Sequence, residues 1–305
     1  MLGYTYFNKR SFLYIHCDYS KISSLYLKND NIELKQNSKL VAKFPLTAIR
    51  SILLTGFFVL SSSLLREIRG QGINLILSKT NFATYLEITP ASEGNYPLRK
   101  KQYLIGLEQE LNIAKYLIAQ KIENQLKFLK NNNLSLEVTD LKILKSEVKL
   151  AQDSHQLMVI EAKIAKIYFR NIFEKYNWRR RAPRTKEDDI NLLLDIGYTL
   201  LFNYLDHIIG LFGFDKYKGV HHKEFYNRKS LTCDLIEPFR YIIDKATINM
   251  YNLKIYDPKD FDHKSPEVKL NYKISHKYIQ YFNQAITKND ELIYNYTQSS
   301  NHTKS

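Results

Sequence analysis

Thr89-Pro-Ala-Ser-Glu-Gly-Asn-Tyr-Pro97 divides the chain. Two prolines, a glycine, a serine and an asparagine within nine residues make a linker, not a strand or a helix. Upstream, Tyr4–Phe7, Phe12–Cys17, Ser24–Leu27 and Ile32–Leu34 are short runs rich in aromatic and β-branched residues, separated by turn clusters such as Lys28-Asn-Asp-Asn31. Ser51–Leu54 reads as an apolar strand. Ser61 then precedes a short helix carrying Leu64, Leu65 and Ile68 and stopped by Gly70 and Gly72, and strands at Ile73–Leu77 and Phe82–Ile88 follow. Downstream, the period changes. Leu104, Leu107, Leu111, Ala114, Leu117 and Ile118 recur at helical spacing until Asn131-Asn-Asn133. Further helices are predicted over about 137–150, 155–177, 187–211 and 234–253, and Thr297–Ser305 reads as a disordered polar tail. The fold class is therefore α+β: a small N-terminal β-rich domain over 1–88, a linker over 89–100 and a larger all-α domain over 101–296.

Composition narrows the function. The 305 residues include 45 Lys and Arg against 31 Asp and Glu, a net charge of +14. A hydrophobic fraction of 44% excludes a disordered chain. With 10 Gly and 7 Pro the chain is neither collagen-like nor low-complexity, and no repeat is visible. So large a positive charge on an aromatic-rich globular chain points to a polyanion, most often nucleic acid; the competing reading is a basic protein from a Lys-using source. Cys17 and Cys233 form neither a disulfide framework nor a zinc motif. The N-terminus lacks an apolar signal region. The uncharged stretch Ser51–Leu65 is too short, and with five Ser and Thr too polar, to span a bilayer. A soluble cytoplasmic protein is expected.

Three places could carry chemistry. Leu157, Ile160, Ile164, Ile167 and Tyr168 mark the apolar stripe of one helix, and Glu161 lies at its edge. A partly desolvated carboxylate there needs a cation, either a metal or a lysine in an ordinary salt bridge. Next, Trp178-Arg-Arg-Arg-Ala-Pro-Arg184 sets Arg179, Arg180, Arg181 and Arg184 so close together that they repel unless anions lie nearby, with Trp178 or Tyr176 available to stack on a base. The alternative is a solvated loop. Third, Gly210 to Arg240 holds His221, His222, Asp234 and Glu237, a mixed nitrogen and oxygen set suited to Mg²⁺ or Mn²⁺. Asp234-Leu-Ile-Glu237 also reads as a helix start, with Asp234 as N-cap and Glu237 left to face the site.

These residues resemble a known family, CRISPR-associated protein one, the endonuclease and integrase of CRISPR spacer acquisition. The likeness runs through Gly94-Asn-Tyr-Pro-Leu-Arg-Lys-Lys-Gln-Tyr103, Glu161-Ala-Lys-Ile-Ala165-Lys-Ile-Tyr168-Phe169, Asn191–Leu201 and Gly213–His222. It is most specific in Arg228-Lys-Ser230-Leu-Thr-Cys-Asp234-Leu-Ile-Glu237-Pro-Phe-Arg240. Two departures are Ala162 where Gly is frequent and His221 where an apolar residue is usual. The resemblance implies an Mg²⁺ or Mn²⁺ centre on Glu161, His222 and Glu237 with Asp234 close by, His221 being the alternative histidine. It further implies that Tyr168 and Arg228 orient the DNA strands. Arg179, Arg180, Arg181, Arg184, Lys223 and Arg240 would bind double-stranded DNA. The implied reaction joins the 3′-hydroxyl of a captured fragment to the CRISPR repeat by transesterification. The rival is a metal-dependent nuclease that uses water on branched or single-stranded DNA. Implied partners are a second copy through the N-terminal domain, the small CRISPR-associated protein two and, as an accessory, the CRISPR-associated protein four nuclease.

Overall fold

The computed structural model describes residues 11–302 except 19, 80–83, 89–94, 133–137, 177, 184, 265–266 and 272. The expected strand Tyr4–Phe7 and most of the linker lie outside these residues. Two compact units form, the first from residues 1–100, 206–214 and 289–305 and the second from 101–205 and 215–288.

The first unit contains two four-stranded sheets. In one, β1 (Ser11–Cys17), β5 (Ile49–Gly56) and β7 (Asn74–Ser78) run parallel, and β8 (Thr84–Ile88) closes the edge antiparallel to β7. Strand β7 is buried throughout and β5 almost throughout, which is why both read as near-continuous apolar runs instead of alternating ones. In the other, β4 (Lys39–Pro45), β3 (Asn31–Gln36) and β2 (Ser23–Lys28) form an antiparallel meander, and β6 (Phe58–Leu60) pairs parallel with β2. Helix α1 (Ser62–Gly70) starts where expected, with Ser61 Oγ accepting from the Leu64 amide at 3.3 Å. Its Leu64 and Ile68 join Leu25, Ile32, Ile52, Leu54 and Leu75 in one core. Gly56 links β5 to β6 at φ 95°, and a Cβ there would lie 1.8 Å from the Cys17 carbonyl oxygen, so only glycine fits.

Helix α2 (Tyr96–Tyr103) begins inside the expected linker. The second unit is built on α3 (Leu107–Asn131), α4 (Val138–Leu150), α5 (Ser154–Phe173), the first part of α6 (Asp189–Phe212), α7 (Ser230–Leu235), α8 (Arg240–Asn252) and α9 (Ser275–Thr287). It also holds a two-residue ladder, β9 (Phe261–Asp262) with β10 (Lys269–Leu270). Asp153 caps α5, its Oδ1 accepting from the Gln156 amide at 2.7 Å. Gly197 lets α6 pack closely, since a Cβ there would lie 2.4 Å from Ile243 and 2.9 Å from Phe282. Helix α6 alone among the described helices is long and apolar enough to cross a membrane. Its apolar window is 83% buried within the protein, as in a core helix.

The C-terminal expectation needs correction. Helix α10 (Asp290–His302) takes in most of the predicted disordered tail. Thr297 is fully buried, its hydroxyl donating to the Ile293 carbonyl at 2.8 Å, so its polarity is satisfied one helical turn back.

Candidate metal centre

Four elements of the second unit bring the central residues together. Helix α3 buries Leu117, Ile118, Ile122 and Leu126, and Lys121 lies on the same face. Helix α5 buries Leu157, Ile160 and Ile164 and carries Glu161 beside them. The turn Glu237–Phe239 follows α7 and is pinned to α3 by the Asn124 side chain, which donates to the Pro238 carbonyl at 2.8 Å. The loop over residues 215–229 supplies the two histidines.

Lys121 is the hub. Its ammonium lies 2.6 Å from Glu161 Oε1 and 2.6 Å from Glu237 Oε2. Glu161 Oε2 meets His221 Nε2 at 3.0 Å, and Glu237 Oε1 accepts from Arg240 Nε at 2.9 Å. Burial alone would favour the neutral amine of Lys121, but Glu161 and Glu237 outweigh it and hold the ammonium above its ordinary pKa. Burial also works to raise the Glu161 carboxyl, yet Lys121 and His221 hold it well below the usual range. His221 is pulled down by burial and raised further by Glu161, for a net increase.

A second cluster fixes the histidine loop. Asp234 accepts from the backbone amides of Val220 (2.6 Å), His221 (3.1 Å) and His222 (2.9 Å), and from His222 Nδ1 at 2.6 Å. Asp234 therefore caps the loop, not a helix start; α7 begins at Ser230, which leaves Asp234 near its end. Gly219 is required for this close approach, because a Cβ there would sit 2.8 Å from Asp234 Oδ2.

Several expectations change on this geometry. His221, not His222, is in hydrogen-bond contact with Glu161. His222 is held on Asp234, its ring centroid 5.3 Å from that of His221. Tyr168, expected to orient a DNA strand, is fully buried and donates to Asp244 Oδ2 at 2.9 Å. Tyr198 donates to the other oxygen of Asp244, whose carboxyl is pushed up to about 6 by burial. Arg240, expected on DNA, is tied to Glu237 and lies 4.6 Å from the Tyr198 ring.

The arginine run is divided. Arg180 pairs with Glu187 at 2.7 Å, and Arg181 with Asp195 at 2.5 Å and Asn191 at 2.8 Å. Arg179 is exposed, and Arg184 lies outside the described residues. Trp178 packs 5.3 Å from Phe173 and 5.9 Å from Phe169, and Tyr176, half-buried, bonds the exposed Asn252. Lys223 and Arg228 are exposed on the loop between His222 and Ser230.

Among the described residues, no three His, Cys, Asp or Glu side chains converge as a ready metal cage. The donor chemistry nevertheless fits a hard divalent cation. Two carboxylates already share one cation, the Lys121 ammonium, and His222 has its Nδ1 fixed by a carboxylate, which leaves Nε2 as a lone-pair donor. Sequence reasoning missed Lys121. The available signal was a charged residue among the apolar positions Leu117, Ile118 and Ile122, and helical spacing alone gives it no partner.

The fold and site define a helical unit with paired carboxylates and histidines, joined in sequence to a β-rich unit, and comparison with known proteins makes it particular. The family model described as CRISPR associated protein Cas1 matches residues 19–284. The CRISPR-associated endonuclease Cas1 3 of Thermus thermophilus is 30% identical over 225 residues, covering 72% of this chain and 68% of that protein. The fold is shared with TM1797, a Cas1 protein from Thermotoga maritima, at a TM-score of 0.85 and 21% identity, over 95% of this chain and 96% of that one. It is also shared with a casposase bound to its integration product, at 0.78 and 19% identity, over 95% and 91%. The chain belongs to the Cas1 family. Its activity is that of a CRISPR-associated endonuclease, with an integrase or nuclease role in CRISPR adaptation.

Proposed function

We propose that the chain joins 3′-hydroxyl ends of a captured DNA fragment to the CRISPR repeat by transesterification, at a divalent-metal centre held by Glu161, His222 and Glu237. The observation that carries this reading is the pair of carboxylates, Glu161 and Glu237, facing one shared cation position in the second unit. An Mg²⁺ or Mn²⁺ ion there would supply Lewis-acid stabilisation of the charge that develops on the phosphodiester. The protein's own groups do the rest. Asp234 fixes the His222 tautomer by accepting a hydrogen bond from Nδ1–H, which leaves Nε2 as the lone-pair donor. His221 holds Glu161 in place from the buried side. Arg228 and Lys223, exposed beside His222, would bind the scissile strand's phosphates. Transesterification needs no nucleotide energy source, since one phosphodiester is exchanged for another.

Partners follow the same reading. The net charge of +14 favours double-stranded DNA. Chains of this fold occur in a TtCas1–DNA complex (TM-score 0.54, 11% identity, 97% of this chain and 98% of that one). They also occur in a Cas6-RT-Cas1–Cas2 complex (0.73, 18%, 96% and 35%). We accordingly assign DNA and the small CRISPR-associated protein two as partners. A homodimer formed through the β-rich unit, and assistance from a CRISPR-associated protein four nuclease, belong to the same proposal. The test is a joining assay with a labelled 3′-hydroxyl fragment, supercoiled repeat DNA, the small partner and Mn²⁺. Strand-joined product is the expected result; nicking without joining would replace the integrase by a nuclease.

A further inference from the structure

Lys121 spends its charge on the two carboxylates that the proposed centre needs. Its side chain is 9% exposed, and it sits 2.6 Å from each of Glu161 and Glu237, whose side chains are 18% and 4% exposed. A buried ammonium shared at equal short distances between two acids differs from an ordinary surface salt bridge, where one long flexible side chain meets one solvated partner. Without a cation between them, the two carboxylates would repel at close range in a poorly solvated site. The remaining oxygens are engaged by His221 and Arg240, so the ammonium fills the position between the acids.

We propose that Lys121 is a positioning residue of the metal centre: its ammonium holds Glu161 and Glu237 together while no divalent ion is bound and competes with that ion for the same two carboxylates. Two consequences follow. The carboxylates are kept in place before metal arrives, so little reorganisation is required when it does. Metal affinity is set below what two free carboxylates and an imidazole would give, because the incoming ion must displace or repel a fixed positive charge.

This inference rests on the proposed metal centre, and the experiment separates the two. Mn²⁺ binding to the full chain is measured by calorimetry, and melting is followed with and without Mn²⁺, for the wild type, Lys121→Met, Lys121→Arg, Glu161→Ala and the double variant Lys121→Met/Glu237→Gln. Lys121→Met should melt lower without metal by roughly 10 °C, because two buried carboxylates lose their shared partner. It should bind Mn²⁺ at least about tenfold more tightly than the wild type, since the competing charge is gone. Lys121→Arg keeps the charge and should stay within about threefold of wild-type affinity. The double variant should recover most of the metal-free melting loss, since removing one acid relieves the repulsion. Mn²⁺ binding by Lys121→Met that is unchanged or weaker overturns the role of Lys121. So does a Lys121→Met chain that stays unfolded at saturating Mn²⁺, because the ion should replace the ammonium. If wild type and Glu161→Ala bind Mn²⁺ alike, the metal centre itself is wrong and both readings fall together.

Discussion

Two buried ion pairs in this protein are alike in length and opposite in design. In the β-rich unit Arg50 of strand β5 meets Asp290 of α10 at 2.6 Å, with both side chains under 5% exposed. In the helical unit Lys121 meets Glu161 and Glu237 at the same 2.6 Å, but Glu161 retains 18% exposure and the ammonium is shared. The first pair links a strand near the start of the chain to its last helix and is sealed from solvent, so its role is to hold the unit together. The second is open on the Glu161 side and continues through His221 and Arg240, so its charges can reach something that arrives from solution. What separates the sealed pair from the one in the proposed centre is access and sharing, not distance or burial of the cation.

The comparison breaks most sharply in activity. Glu161→Ala or His222→Ala should lower strand joining by at least about a hundredfold, while duplex binding stays within about twofold, because metal-supporting groups act on the transition state and basic residues elsewhere supply affinity. Joining and electrophoretic binding assays on the same preparations check this. His221→Ala should cost less than His222→Ala, since it loses a support of Glu161 and not a donor; equal losses would make His221 the ligand. Arg50→Ala belongs to the other side of the comparison. It strands Asp290 without its cation and should destabilise the protein by about 3–5 kcal/mol. The Mn²⁺-dependent rise in melting temperature should nevertheless remain. A vanished Mn²⁺ response in Arg50→Ala would show that the sealed pair is coupled to the site.

Asp244 gives a smaller, pH-dependent effect. It is buried, accepts from Tyr168 and Tyr198, and has Arg181 and Arg240 among its charged neighbours. Burial pushes its carboxyl up from the ordinary 3.8 to about 6 in the folded state. The folded state therefore keeps a proton that the unfolded chain has already lost between about pH 4 and 6. The stability from this group is fully present below the unfolded pKa and is lost as pH rises through about 6. At about 1.4 kcal/mol per pKa unit, wild type should lose up to roughly 3 kcal/mol relative to Asp244→Asn between pH 4 and pH 7.5. Parallel denaturant titrations would show it; a flat difference would mean that Asp244 stays ionised throughout.

The sequence disclosed the architecture where local pattern and packing agree. The apolar runs at Ser51–Leu54 and Ile73–Leu77 became β5 and β7 because strands buried on both faces have no polar alternation to confuse them. Strand β4 escaped notice because it lies at a sheet edge and only part of its length is covered. The three-residue strand β6 is too short to carry a pattern. Within the site, Glu161 was read from its place at the edge of an apolar stripe, and Glu237 from its three-residue spacing to Asp234 and the family block Arg228–Arg240. Lys121 was not, because its partners lie 40 and 116 residues away and only tertiary packing brings them together. Asp234 was misread for the opposite reason. Its local sequence imitates a helix cap, while three backbone amides of a loop twelve to fourteen residues earlier claim its oxygens.

The arginine run tests the same distinction between committed and available charge at its weakest. Arg180 is spent on Glu187, and Arg181 on Asp195 and Asn191, so neither presents a free guanidinium to phosphate. Arg179 is exposed and its charge is available. Each phosphate contact contributes about 0.9 to the log–log slope of duplex affinity against salt. Arg179→Ala should therefore flatten the slope by close to that single contact, while Arg180→Ala leaves it nearly unchanged. Arg181→Ala should appear in the melting temperature instead, because it removes bonds to Asn191 and to Asp195, the latter only 21% exposed. Duplex binding measured between 50 and 200 mM salt, roughly the range over which such slopes are read, decides among them. Equal slope changes for Arg179 and Arg180 would mean that the Arg180–Glu187 pair opens on DNA, and that an exposed salt bridge is no bar to recruitment as a phosphate contact.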